Sequence, residues 1–359
     1  KCRECGRCAE ACPYHAIADL MRPCKRSCEV NAISIGGDKI ASIDNKKCIA
    51  CGHCAVACPF GAISDISHIT HVIKQIKDPN RVTVAIPAPA AEGQFGPTVT
   101  VGRLKTALKK LGFDYVYEVA LGGDLVSMNE AKELIEKKSE GKKMTTSCCP
   151  AFVNLIRKHY PELMEYVSTT VSPMQANVRY IQEKHPGAYI VFIGPCIAKK
   201  FEAEVMEAPD AVMTFEELNA VFDAKRIDPT ECEEEITPDA TSYGRRFSAS
   251  GGVAQSVIKA AAENGCMDIK AKPCSGVKEC KVALAMLKVG KLPEDIIEGM
   301  ACEGGCIAGP GSIATLQQLK AARMKKIKGK DGDSITDMLT NMEANDVDMV
   351  RTSFDMPEK

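Results

Sequence analysis

The chain has 359 residues, is 45% hydrophobic and carries a formal charge of −1. That length buries at least one sizeable core and points to two domains, while near-neutral charge argues against nucleic acid as the main partner. Nineteen cysteines and no hydrophobic leader favour metal binding over a disulfide scaffold, and no apolar run reaches the roughly 18 residues that span a bilayer, so the expected setting is cytoplasmic with no membrane partner.

The first segment reads Cys2-x2-Cys5-x2-Cys8-x3-Cys12-Pro13, and the pattern recurs as Cys48-x2-Cys51-x2-Cys54-x3-Cys58-Pro59. This is the bacterial ferredoxin spacing, in which the fourth cysteine of each run ligates the other run's cluster. One [4Fe–4S] cluster is therefore assigned to Cys2, Cys5, Cys8 and Cys58, and the other to Cys48, Cys51, Cys54 and Cys12. Zinc sites use two paired knuckles instead of this three-plus-one run. Between the runs, Pro23-Cys24-x3-Cys28-Glu29-Val30-Asn31-Ala32-Ile33 echoes the tails Cys12–Ile17 and Cys58–Ile63 as a degenerate third half-ferredoxin unit. Two thiols cannot hold a cubane alone. They are either spare, the preferred expectation, or part of an additional cluster completed by upstream residues or a rearranged ligand set.

Ile66, Ile69, Ile73 and Ile76 fall at helical spacing and predict an amphipathic helix over 66–77. Asp78-Pro79-Asn80 breaks it, which divides the chain into a ferredoxin-like domain, 1–78, and a second domain, 79–359. In the second, strands are predicted at Val82–Ile86, Tyr115–Val119, just before Cys148, Tyr189–Ile193 and Ala211–Met213. Helices are predicted at Val101–Leu111, Leu125–Lys137, Phe215–Phe222, Gly252–Asn264 and Ser312–Lys325. The whole is an α+β chain whose second domain consists of two α/β lobes, the second lobe opening at Tyr189. Cysteine motifs should converge between the lobes at strand ends and helix starts. The polar tail beyond Gly329 says little.

Thr146-Ser147-Cys148-Cys149-Pro150 sets two adjacent thiols where an extended segment turns into a helix opening at proline, placing Cys149 at a positive helix end. Gly194-Pro195-Cys196-Ile197-Ala198-Lys199 and Glu298-Gly299-Met300-Ala301-Cys302-Glu303-Gly304-Gly305-Cys306 complete a four-thiolate set, Cys149, Cys196, Cys302 and Cys306, from three distant segments. Taken with Cys148 and Lys199, these motifs resemble the H-cluster signatures of FeFe hydrogenases, in order from about Lys1 to about Met324, with the marks of a divergent subgroup.

The resemblance implies that the four cysteines hold a cubane, with Cys306 bridging to a di-iron subcluster that carries CO, CN⁻ and a dithiolate. Spacing by itself justifies only the cubane. By the same resemblance Cys148 is the last proton donor, and a thiol beside the metal meets the requirements of acid–base work. Glu133, Ser168, Glu130 and Cys148 form the proton route, with Lys137 in place of the family's outermost Arg. Lys199 hydrogen-bonds a cyanide, and Ala88, Pro89 and Met300 line the cofactor.

The implied activity is reversible conversion of 2H⁺ and 2e⁻ into H₂, with electrons from a ferredoxin or similar carrier and the cofactor supplied by hydrogenase maturation proteins. Alternatives are an H₂ or redox sensor with low turnover and an iron–sulfur assembly factor lacking di-iron. Departures from the family pattern are Gly194 for Met, Met174 for Gln, Pro310 for Gly and Ala151-Phe152 for Gly-Trp. They leave cofactor binding in place and bear on rate, bias and oxygen tolerance. Cys232, Cys266, Cys274 and Cys280 have no assigned role.

Overall fold

A computed structural model describes residues 7–14, 16–17, 21–36, 40–236, 239–327 and 332–351. The predicted ligands Cys2 and Cys5 lie outside the described residues. The chain divides into two compact units, Lys1–Cys48 with Gly52–Asp65, and Ile49–Cys51 with Ile66–Lys359. Among the described residues no helix is long and apolar enough to cross a membrane.

The smaller unit holds helices α1 (Arg7–Ala11) and α2 (Pro23–Arg26), strands β1 (Ile33–Ile35) and β2 (Ala41–Ile43), and helix α3 (His53–Val56). The strands form an antiparallel hairpin with Ile33 opposite Ile43. Its buried apolar residues among those described are Cys24, Val30, Ala32 and Ile33.

The larger unit begins with α4 (Ile69–Ile76). The sequence placed this helix at the end of the ferredoxin part, but it packs elsewhere: Val72 is fully buried, Ile69, Ile73 and Ile76 lie against the larger core, and His68 Nδ1 accepts from Val212 N at 3.1 Å. The break at Asp78 is a turn within this unit, and the boundary falls at Asp65. There follow β3 (Thr83–Pro87), α5 (Val101–Leu111), β4 (Tyr115–Val116), α6 (Val119–Ser139), β5 (Met144–Thr145), α7 (Pro150–His159), α8 (Pro173–Lys184), β6 (Tyr189–Ile193), α9 (Ala198–Met206), β7 (Ala211–Met213) and α10 (Phe215–Lys225). The chain closes with α11 (Ser242–Arg246), α12 (Gly252–Glu263), β8 (Ala271–Ser275), α13 (Val277–Lys288), β9 (Ile296–Met300), α14 (Leu316–Ile327) and α15 (Ile335–Asn341).

Two parallel sheets result, in the orders β4-β3-β6-β7 and β5-β9-β8. In the first, Val84 pairs with Ile190 and Phe192 with Val212. Its inner strands are buried throughout, as expected of parallel strands covered on both faces. Helix boundaries follow local chemistry. Thr100 Oγ1 accepts from Arg103 N at 3.1 Å to start α5, and Thr214 with Glu217 forms a capping box that starts α10.

The lobes differ from the expected division. β6 and β7 complete the sheet begun by β3 and β4 instead of opening a second lobe. The second sheet is built from β5 and two strands that the sequence did not announce. β8 contains Pro273 and is mostly accessible, and β9 carries a buried glutamate, Glu298, so neither shows a strand pattern. α6 starts six residues before the predicted Leu125 because its first turns, with Gly122 and Gly123, have the composition of a loop.

Candidate metal centre

Each cysteine of the predicted four-thiolate set follows the C-terminal end of a parallel strand, the usual ligand position in such sheets. β5 runs through Thr146 and Ser147 to the two adjacent thiols, and Pro150 opens α7 with Cys149 as its extended N-cap residue, φ −97° and ψ 108°. Cys196 lies between β6 and α9, Cys302 follows β9, and Cys306 opens a short 3₁₀ turn, Cys306–Ala308. The last loop is pinned by hydrogen bonds from Gly304 N to Ser275 Oγ, 2.8 Å, and from Gly305 N to Cys302 O, 3.1 Å.

The four thiols share one electrostatic neighbourhood. Burial pushes Cys302 well up, and the thiols of Cys196, Cys306 and Cys149 push it further. Cys306 is raised by burial and by Cys149 and Cys196. Cys196 is pushed up to about 11 by burial first and Cys149 second, with Lys199 opposing. Four crowded, mutually repelling thiolates in a poorly solvated place call for a cation, whose binding releases their protons. Among the described residues no three His, Cys, Asp or Glu side chains are grouped to hold a single ion. Four thiolates are the usual donor set of a [4Fe–4S] cubane.

Beside these thiols lies a row of polar side chains. Glu133 Oε1 is 3.0 Å from Lys137 Nζ, and Glu133 Oε2 accepts from Ser168 Oγ at 2.6 Å. Ser168 Oγ also accepts from Thr170 N at 3.1 Å, and Glu130 Oε2 is buried with no hydrogen-bond partner among the described residues. Glu130 Oε1 accepts from Ser147 N at 3.0 Å and from Ser147 Oγ at 3.3 Å. Burial pushes Glu130 up to about 8, against the Ser147 N–H and with the help of Glu133. Cys148 is raised well above the ordinary thiol range by burial and then by Glu130. Glu130 and Glu133 share a face of α6 because they are three residues apart.

Lys199 is buried, and its Nζ donates to Glu202 Oε2 at 2.5 Å and to Cys148 O at 3.3 Å. Arg351, in the tail that the sequence left uninterpreted, donates from Nη2 to Ser147 O at 3.2 Å and lies 4.0 Å from Glu202 Oε1. Nothing in a polar tail announces such a contact. Glu298 was noted only as part of its motif. Its carboxylate accepts from Gly251 N and Ala254 N, both at 2.7 Å, at the start of α12, and burial pushes it up to about 7.

Ala88 N donates to Ile193 O at 2.8 Å, and Pro89 begins a 3₁₀ turn, Pro89–Ala91. Met300 ends β9 and is buried. A β-carbon on Gly194 would lie 2.6 Å from the Phe192 ring and 3.1 Å from the Ala88 methyl, so Phe192 fills the space that a longer side chain at this position would need. Cys274 Sγ donates to Lys272 O at 3.8 Å and Cys280 Sγ to Met300 O at 3.6 Å. In the smaller unit, Cys8 belongs to α1 with Cys12 just beyond, and Cys54 lies in α3. The Cys54 thiol is raised by burial and then by Cys48 and Cys28.

The family model for the iron-only hydrogenase large subunit, C-terminal domain, matches residues 81–310. The chain belongs to this family. A 4Fe-4S binding domain matches residues 1–18 and 41–64 of this hydrogenase-family chain. Iron hydrogenase 1 of Clostridium pasteurianum is 31% identical over 91% of the chain and 66% of the relative. The Periplasmic [Fe] hydrogenase large subunit of Nitratidesulfovibrio vulgaris is 28% identical over 68% of the chain and 72% of the relative. The chain thus spans about two thirds of these relatives. Cytosolic iron-sulfur assembly component 3 of Mus musculus is 22% identical over 62% of the chain and 59% of the relative. The fold matches an apo FeFe hydrogenase from Chlamydomonas reinhardtii with TM-score 0.61 and 23% identity, covering 72% of this chain and 88% of that one.

Proposed function

We propose that this chain is a cytoplasmic FeFe hydrogenase interconverting H₂ with two protons and two electrons. Cys149, Cys196, Cys302 and Cys306 would hold the H-cluster, with Ala88, Pro89, Lys199 and Met300 around its di-iron part. When bound, that cofactor supplies the iron centre at which H₂ is made or split. The protein's own part is to move protons. One observation carries this assignment: Cys148, next to a ligand yet not counted among the four, lies close enough to the buried Glu130 carboxyl to feel its charge, and the Glu133–Ser168 pair stands on the same side, with Glu133 on the same face of α6 as Glu130.

A proton entering at Glu133 passes to the Ser168 hydroxyl, then to the Glu130 carboxylate, and is held last on the Cys148 thiol. Lys199, fixed by Glu202, presents an ammonium for a charge-assisted bond to an anionic ligand. Electrons would come from a ferredoxin or similar carrier through the two [4Fe–4S] clusters of the smaller unit, and hydrogenase maturation proteins would deliver the di-iron part.

The likeness to cytosolic iron–sulfur assembly factors supports a second possibility, an assembly role without di-iron. Such a factor needs the four thiols but has no use for a buried proton chain ending on a fifth. Infrared spectroscopy of protein matured with the hydrogenase maturation proteins separates the two. Bands of iron-bound CO and CN⁻ are expected, and their absence from protein with a full cubane content would leave the assembly role standing.

A further inference from the structure

The sequence echo between Cys24–Ile33 and the second run is matched in the backbone of the smaller unit. α2 carries Cys24 and ends at Ser27, φ −74° and ψ −10°; α3 carries Cys54 and ends at Ala57, φ −73° and ψ −11°. Cys28 and Cys58 come next and make the same three contacts. Their N–H groups donate to Lys25 O at 3.3 Å and to Ala55 O at 3.1 Å. Their carbonyls accept from Asn31 N at 3.1 Å and from Gly61 N at 3.3 Å. Their Sγ atoms each accept a backbone N–H at 3.2 Å, from Ala32 and from Ala62.

Asn31 and Gly61 then turn the chain in the left-handed region, at φ 53° and 61°. Glycine enters that conformation freely, and asparagine is among the few others that do so. Cys24–Ile33 and Cys54–Ile63 are therefore one structure used twice, whereas the first run was expected to be the partner of the second. N–H bonds to sulfur favour the thiolate and are among the features that tune iron–sulfur clusters. Cys28 has such a bond in the same place as Cys58. Helices α2 and α3, which carry Cys24 and Cys54, also lie against each other.

In a two-cluster ferredoxin the fourth thiol of each half closes the other half's cubane. Because the half matching Cys54–Ile63 is Cys24–Ile33, we infer that Cys28 is the fourth ligand of the cubane on Cys48, Cys51 and Cys54. Cys58 in turn joins Cys24 in the other cubane, whose remaining two thiolates come from the first run. This replaces Cys12 in the spacing-based assignment and gives a metal role to two thiols expected to be spare. It rests on the geometry of the smaller unit and holds whether or not the larger unit carries di-iron.

Two measurements on the full chain test it. Anaerobically reconstituted protein and the same protein stripped by an iron chelator are treated with iodoacetamide, and modified cysteines are mapped by mass spectrometry. Cys28 and Cys24 should be protected by the clusters as Cys48, Cys54 and Cys58 are; equal labelling of Cys28 with and without clusters overturns the assignment. Iron content then decides which thiols act together. Cys28→Ala, Cys48→Ala and their double variant should each lose about 4 iron per chain or hold a three-iron cluster visible by EPR. A double variant that loses twice as much places the two thiols on different cubanes. Full iron in Cys28→Ala, with Cys12→Ala showing the shared loss instead, restores the spacing-based ligand set.

Discussion

The two cysteine-rich regions solve the same problem in opposite ways. In the smaller unit the thiols come from short, nearly contiguous runs, legible as a spacing but ambiguous as to which run closes which cluster. In the larger unit they come from strand ends far apart in sequence, illegible as a spacing, yet the two sheets bring them together in one combination. Local repetition supplies ligands cheaply and leaves their pairing open; topology supplies few and fixes it. The difference explains why the clusters of the small unit need labelling experiments, while the larger site is tested by single substitutions.

The largest expected effect separates the two regions outright. Cys302→Ala should abolish the CO and CN⁻ infrared bands and H₂ turnover while both cubanes of the smaller unit persist, leaving about 8 of about 14 iron per chain. If the variant kept its bands, Cys302 would not belong to the thiolate set. Next comes the fifth thiol of the larger unit. Cys148→Ala should leave the bands in place and cut turnover at least about 100-fold, the lower scale for a positioned acid–base group, with Cys148→Asp losing less. A variant at wild-type rate removes Cys148 from the proton route, and one that cannot assemble the cofactor makes it a ligand.

A smaller effect has a pH signature. Burial holds the Glu130 proton to about pH 8, so its acid form is present at neutral pH and is lost as pH rises through that value. H₂ evolution should therefore fall above about pH 8, and in Glu130→Gln the rate should drop by about 10-fold or more at neutral pH with this descending limb gone. An unchanged pH profile in the variant takes Glu130 out of the route. The smallest effect concerns packing. Gly194→Met should overpack against Phe192 and destabilise the larger unit by about 1–3 kcal/mol, read as a lower Tm, with Phe192→Leu recovering part of it. Equal stability of the Gly194 variant would mean that the ring yields freely.

What the sequence made legible is what depends on neighbours along the chain. The helix Val101–Leu111 matches its predicted limits, because Thr100 and Gly112 mark both ends. The turn from Met144 to Pro150 is likewise set by local chemistry. Sheet membership was hidden, since β6 reads the same whether it pairs with β3 or begins a new sheet. β8 and β9 were hidden for a different reason: Pro273 and Glu298 contradict strand composition, and only the register against each other and the α12 amides that Glu298 receives make these residues acceptable. The place of Arg351 is a fact of folding, invisible in the sequence, whereas the likeness of Cys28 to Cys58 was legible as an echo of their tails and lacked only its backbone geometry.

The two sheets also interleave in time. β5 emerges from the ribosome before β6 and β7 have finished the first sheet, and its own partner is β9, with Thr145 pairing to Ile297. At ordinary synthesis rates the segment holding Cys148 and Cys149 waits on the order of 10 s for that strand, and neither sheet forms from an uninterrupted stretch of chain. Closing such long loops is slow. The four thiols proposed as ligands in the larger unit therefore come together only after β9 has been made, whereas those of the hairpin unit are synthesised well before it.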